Sequence, residues 1–233
     1  GKAREIYPIY LEISPGGACN HRCTFCAVDY IGYKSVMLSH QLLDERLAEM
    51  GALGVKSVMY AGEGEPLLHK DIDWIVSSTV AAGIDVSFTT NGVLLNKLET
   101  VGQCNWIKVS VNAGTSKTYA AVHRTKEKDW DTVWYNINEA VKRKGNCMIG
   151  VQTLLLPELQ HEIQQLYDLC DYHGVDYFVV KPYSQHKMSL THAYENTVTQ
   201  VPKIRTNNTQ FIFRKAAYET QEISYDKCQA TPN

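Results

Sequence analysis

The chain is dominated by one alternation: short β-rich runs and helical patterns follow one another through most of its 233 residues. "IYPIYLEI" (6–13) reads as a first strand, and after a cysteine-bearing loop a helix opens at Ser39, with Leu42, Leu43, Leu47 and Met50 at helical spacing. "VKSVMYAG" (55–62) and "IDVSFTT" (84–90) are the next strands, separated by the helical "KDIDWIVSSTVAAG" (70–83). A short helix near "VLLNKLETVG" (93–102) leads to the strand "WIKVSVNA" (106–113). "WDTVWYNINEAVKRKG" (130–145) is amphipathic through Val133, Ile137, Ala140 and Val141, and its basic last turn and Gly145 both favour termination there. The strand "CMIGVQTLLL" (147–156), the helix "PELQHEIQQLYDLCDYHG" (157–174) and the strand "VDYFVVKPY" (175–183) complete six β/α units. Repeated units of this kind build a parallel sheet wound by right-handed crossovers. The expected fold class is therefore α/β, a partial (β/α)6 TIM-like barrel over residues 1–183, with a short, polar and irregular C-terminal extension over 184–233 in which "QFIFRKAAYE" offers one more strand or a helix start. Chemistry on such a sheet belongs to the loops at the C-terminal ends of the strands.

The totals fit one large globular domain, with 44% hydrophobic and 21% charged residues. A formal net charge of −2 gives no electrostatic reason to expect nucleic acid or an anionic membrane as partner. No apolar run approaches a membrane span, and "GKAREIYPIY" lacks the apolar stretch of a signal peptide, so the chain reads as soluble and cytoplasmic. Seven cysteines is an odd number, and three of them fall within eight residues, a layout suited to metal ligation in a reducing compartment rather than to a disulfide framework.

Those three are Cys19, Cys23 and Cys26, in the loop after the first strand. Structural zinc normally closes a shell of four ligands. His21 would compete sterically with its neighbours as a fourth, which leaves a zinc knuckle borrowing a distant ligand as the alternative. A cubane iron–sulfur cluster takes one thiolate per iron, so three thiolates leave one iron open to an exogenous ligand. The CxxxCxxC spacing, with Phe25 just before the last cysteine, resembles the radical S-adenosylmethionine superfamily. The resemblance implies a [4Fe-4S] cluster on Cys19, Cys23 and Cys26, with S-adenosylmethionine chelating the fourth iron. A reduced cluster then breaks the sulfonium bond, and a 5′-deoxyadenosyl radical takes hydrogen from a substrate.

Further matches follow at later strand ends. "YAGEGEPLLH" resembles the family's GGEP segment, which receives the methionyl amino group; the matching positions are Gly62, Glu63, Gly64 and Glu65, with Glu63 where a glycine is common. Glycines there let main chain approach a ligand because no Cβ intervenes. Thr89, Thr90 and Asn91 match the polar residues near the ribose and methionyl group, although Asn91-Gly92 is also an ordinary turn corner. Ser110 and Asn112 resemble polar contacts to the ribose or carboxylate, and Arg124 an arginine pairing with the cofactor carboxylate, with His123 a neighbour that packs or caps. Val151 is expected to touch adenine. The resemblance spans residues 6–183.

Cys104, Cys147 and Cys170 read as packing. Cys228 resembles the first cysteine of the auxiliary-cluster extension called SPASM or twitch, or is a lone surface cysteine; the chain stops five residues later. Tyr30, Lys181, Tyr183 and His186 are the substrate-contact candidates, with Asp29, Tyr33, Ser184 and Gln185 beside them. Lys181 could equally serve a structural ion pair. The enzyme reading takes a small polar molecule such as a sugar, nucleotide or natural-product precursor, with a peptide or protein substrate, or glycyl-radical activation, as alternatives. The partners implied are that substrate and an external electron donor of flavodoxin or ferredoxin type. From another class, the chain could be a metal-binding regulatory protein without turnover.

Overall fold

The computed structural model describes residues 7–27, 30, 32, 34–183, 186–192 and 203–214. Seven strands form one sheet: β1 (Tyr10–Ile13), β2 (Ser57–Tyr60), β3 (Asp85–Thr90), β4 (Trp106–Ser110), β5 (Met148–Leu155), β6 (Tyr177–Pro182) and β7 (Gln210–Phe213). They lie side by side in sequence order, every neighbouring pair is parallel, and β1 and β7 stand at the two ends of an unclosed sheet.

Side-chain alternation along each strand sorts the residues into two faces. Val58, Tyr60, Val86, Phe88, Ile107, Val109, Ile149, Val151, Phe178 and Val180 are fully buried on the outer face. They pack with Leu47, Ile75, Val76, Val133, Ile137 and Leu166 from the helices, and this layer is the hydrophobic core. Each such side chain contributes about 1.5–3 kcal/mol by leaving water. The other face is concave and more polar, with Ser87, Thr89, Lys108, Ser110, Gln152 and Lys181 at the alternate positions.

The helices are α1 (His40–Ala52), α2 (Ile72–Ala81), α3 (Ser116–His123), α4 (Glu127–Arg143) and α5 (Ile163–Tyr172). Ser39 caps α1 by accepting a hydrogen bond from the Leu42 amide. Two departures from the sequence reading have local causes, and one open choice is decided. Residues 93–102 make two short 3-10 turns, Leu95–Lys97 and Glu99–Gln103, because Leu95, Leu98 and Val101 plug the core at a spacing of three rather than along an α-helical stripe. The additional helix α3 opens where Thr115 accepts from the Thr118 amide. Of the strand and the helix start that "QFIFRKAAYE" offered, "QFIF" is the strand, a seventh, paired with β6. Cys104, Cys147 and Cys170 are buried, as packing cysteines should be. The Cys228 expectation lies outside the described residues.

Candidate active site

The loop after β1 is held in place mainly by main chain. The last carbonyls of α3 have no partner within their own helix. The Thr24 amide donates to Val122 O at 2.8 Å and the Arg22 amide to His123 O at 3.3 Å, which docks the cysteine loop onto that helix end. From the other side, the amides of Leu190 and Thr191 donate to Thr24 O, and the Thr24 and Thr191 hydroxyls meet at 2.6 Å. Cys19, Cys23 and Cys26 thereby line one cavity together with His21, Arg22, Gly62, Glu63 and Gly64.

The loop after β2 reaches that cavity through glycine. Gly64 passes so close to the cysteine loop that a Cβ on it would sit 2.4 Å from Gly16 O and 2.5 Å from Ala18 O. Gly62 has φ +111°, with Ser14 where its Cβ would go. The Glu65 amide then donates to Ala18 O at 2.7 Å. The Glu65 side chain turns away into the protein and is 2% exposed. Its carboxylate accepts from the Thr90 hydroxyl at 2.5 Å and the Asn91 amide at 2.7 Å, and also from the Leu67 amide. Glu65 and Thr90 thus clamp the β2 and β3 loops together. Asn91 extends the clamp by donating to Asn20 Oδ1 at 2.6 Å, inside the cysteine loop.

Burial raises the Glu65 carboxyl to about 6 despite these donors. The folded chain therefore binds this proton more tightly than the unfolded chain does. The contribution to stability is largest below the unfolded pKa, near 4.5, and falls by about 2 kcal/mol as pH rises through 6. Denaturant unfolding across pH 4 to 7 should show this decline, and Glu65→Gln, which cannot titrate, should lose it.

Asn112 and His123 form a second clamp. Asn112 Oδ1 accepts from the Leu154 amide at 2.8 Å, while the Asn112 amide donates to His123 Nε2 at 3.2 Å. Burial pushes the His123 imidazole down to about 3, with His21 adding to the effect, so the ring is neutral. With Nε2 accepting, the single ring proton sits on Nδ1, 3.3 Å from Cys23 Sγ. Tyr119 stacks on the same ring at 4.2 Å and fixes its plane. Arg124, next in the chain, is exposed and adopts φ 51° and ψ 54°, a left-handed conformation that costs a non-glycine residue about 1 kcal/mol or more.

Ser110 is half-buried on the concave face, in line with Lys108 below it. Val151 is not at the site: it lies on the helix-facing side of β5, fully buried beside Phe178. The expectation that it touches adenine fails on strand parity, since Gly150 and Gln152 are the residues of β5 that face the concavity. Tyr30 and His186 meet, their ring centres 4.8 Å apart, and both are exposed. Tyr183 is buried, and its hydroxyl is tied to Ser189 and Thr191. Lys181 projects onto the concave face. Asp29, Tyr33, Ser184 and Gln185 lie outside the described residues.

Burial holds the Cys23 thiol well above its ordinary range, and Cys19 and Cys26 add to the shift; burial raises Cys19 as well. Three crowded thiols ionise together only with a strong positive charge among them, which is what a metal centre supplies. Among the described residues one other donor set exists: His21, Cys23 and His123 place ligand atoms within 4.8 Å of one another. That set uses one thiol of the three, and one nitrogen of His123 is already taken by Asn112. The three thiols opening on a shared cavity therefore fit an iron–sulfur cluster better than a closed zinc shell. Sequence reading placed the three cysteines and missed His123 as their partner and Asn20 as the loop tie, because nothing local pairs residues 100 and 71 positions apart.

Among curated proteins, the chain is 30% identical over 169 residues to a probable GTP 3',8-cyclase of Methanothermobacter marburgensis, covering 71% of this chain and 55% of that protein. It is 29% identical over 157 residues to molybdenum cofactor biosynthesis protein 1 of Dictyostelium discoideum, covering 60% of this chain and 24% of that protein. The chain thus spans about half, or less, of the length of the curated relatives it matches. Streptococcus suis SuiB, solved with S-adenosylmethionine bound, superposes with a TM-score of 0.65 at 22% identity, covering 81% of this chain and 44% of that one. TYW1 with a lysine-pyruvate adduct gives 0.63 at 17% identity, covering 80% and 67%. These two likenesses establish a shared partial-barrel fold. No helix among the described residues is long and apolar enough to cross a membrane. The Radical SAM superfamily matches over residues 13–170, its cofactors are a [4Fe-4S] cluster and S-adenosylmethionine, and the donor set fits them. With the cysteine loop and the glycine loop around one cavity, the chain belongs to the Radical SAM superfamily.

Proposed function

We propose that this chain is the catalytic barrel of an enzyme that cleaves S-adenosylmethionine reductively and abstracts hydrogen from a small polar organic molecule. The observation that carries this reading is the single cavity shared by three thiols and the main chain of Gly62 to Gly64. When bound, the cluster would pass an electron from the external donor to S-adenosylmethionine, which would supply the hydrogen-abstracting chemistry and end as methionine and 5′-deoxyadenosine. Cys19, Cys23 and Cys26 hold the iron, and the glycine-loop main chain, beside Glu63, receives the methionyl amino group. Asn91, Ser110 and Arg124 orient the ribose and carboxylate, with Arg124 supplying the planar fork. Glu65, Thr90 and Asn112 act behind them as clamps. Phe25, whose ring meets His123 edge-on at 5.9 Å, walls the cysteine loop. Lys181, Tyr30 and His186 face the substrate. An external flavodoxin-type or ferredoxin-type protein supplies the electron.

A nucleotide-like substrate is supported by relatives named as GTP 3',8-cyclases. A peptide is the second reading, supported by fold neighbours solved with peptides, SuiB with its precursor SuiA and anSMEcpe with Cp18Cys. The test is anaerobic reconstitution with iron and sulfide, addition of S-adenosylmethionine and a strong reductant, and mass spectrometry of 5′-deoxyadenosine. Its formation is expected. Bound zinc in place of a cluster would favour a metal-binding regulatory protein on the His21, Cys23 and His123 set.

His123 acts here as a positioning residue. Its Nδ1–H donates toward Cys23 Sγ, and such a donor stabilises the charge added to the cluster on reduction, which raises the potential. His123→Phe should lower the midpoint potential in EPR-monitored redox titration, and His123→Asn, which restores an N–H, should recover part of the shift.

A further inference from the structure

The concave face carries a group of cations that the cofactor chemistry does not use. Lys108 projects from the middle of β4, Lys181 from the C-terminal end of β6, and Arg214 follows β7. Lys108 and Arg214 line a cavity of about 390 Å³ whose walls include Trp106, Tyr177, Val179 and Ile212. The three charges are close enough to act on one another. Burial, with Arg214 and Lys181 adding to it, lowers Lys108 to about 8.

The face offers them little compensation. Glu12 opposes the shift of Lys108, but its carboxylate already accepts from the Tyr10 hydroxyl at 2.8 Å. Asp85, at the start of β3, is exposed at the opposite end of the strands from the cysteine loop. Among the described residues no carboxylate comes within 4.0 Å of Lys108, Lys181 or Arg214. The Lys108 ammonium instead sits 5.5 Å from the centre of the Trp106 ring. Lys108 and Lys181 are half-buried and Arg214 is exposed beside them; like charges with no carboxylate against them are unfavourable, and an arriving anion relieves the repulsion and the hydration that the lysines lose.

We infer that this cavity binds the anionic end of a small-molecule substrate, a phosphate or a carboxylate gripped by Lys108 and Arg214, with Lys181 adding positive charge nearby. The inference rests on the proposed function and names the substrate class of that same site. Arg214 supplies two parallel donors, Lys108 supplies a point charge, and Trp106 and Tyr177 give an apolar wall to the adjoining carbon framework. Lys108 lies in the middle of β4 and Arg214 at the strand ends that carry the cysteine loop, so a molecule held between them lies along the concave face.

The reconstituted protein with S-adenosylmethionine would be titrated calorimetrically with inorganic pyrophosphate and, separately, with citrate. One of them should bind with 1:1 stoichiometry, and the preferred probe assigns phosphate or carboxylate. Lys108→Gln and Arg214→Gln should each weaken it about tenfold or more and Lys181→Gln by less, while Lys108→Arg keeps most of the affinity and Lys97→Gln, on an exposed turn elsewhere, changes nothing. Binding should weaken further as salt rises from about 50 to about 200 mM. Failure of both probes, or an affinity that the glutamine variants leave intact, overturns the inference. Substrate-free formation of 5′-deoxyadenosine, measured on the same preparations, separates the two readings: its absence with probe binding intact removes the radical chemistry, and its presence without probe binding removes the anion site.

Discussion

Replacing Cys23 with alanine should abolish 5′-deoxyadenosine formation, a fall of at least about 10³-fold, while leaving the chain folded. Deleting one small buried group costs on the order of 1 kcal/mol in a domain whose stability is several times that. The chemical loss is of another order. Two thiols remain, at Cys19 and Cys26, and His123 keeps an Nδ1–H with nothing to receive it. Iron and sulfide analysis after reconstitution should show cluster content near background, and thermal unfolding should stay within a few degrees of the parent. Retention of full cofactor cleavage by Cys23→Ala would refute the assignment of the three cysteines.

Gly64→Ala should be the more damaging substitution for the fold although it adds only a methyl group. The new Cβ would stand 2.4 Å from one carbonyl oxygen and 2.5 Å from another, and main chain cannot rotate aside as a side chain does. The β2 loop must retreat from the cysteine loop, which stretches the Glu65 amide bond to Ala18 O. Overpacking of this kind costs about 1–3 kcal/mol, and in a domain of this size about 3 kcal/mol corresponds to roughly 10 °C in melting temperature. Cluster loading should fall with it, because the glycine loop and the thiols share one cavity. A melting curve and cluster content unchanged by Gly64→Ala would mean that the two loops do not meet as described.

The parts of this architecture that repeat locally were legible in the residues. Short β-rich runs marked β2 through β6, the Leu42 to Met50 stripe marked α1, and the cysteine spacing marked the metal loop, each within a few residues of sequence. Long-range pairings were not. The Cys23 to His123 contact, the Asn20 to Asn91 tie and the seating of Leu190 and Thr191 on Thr24 depend on how sheet curvature brings distant loops together, and no local pattern encodes them. Val151 shows the opposite error. A residue in the right strand was given the wrong face, because in "IGVQTLLL" the adjacent polar residues Gln152 and Thr153 point to opposite faces and leave the parity unmarked.

The docking of the cysteine loop has a consequence for the life of the protein. Its anchors are amides and carbonyls of α3, the β2 loop and residues 190–191, and none of them is a metal bond. The receptacle therefore has anchors of its own, which should keep its shape when the cargo is gone. Oxygen damage that strips the iron should leave a shaped and refillable vessel, repairable by fresh iron and sulfide without a cycle of unfolding, unlike small domains whose shape is itself the work of the metal.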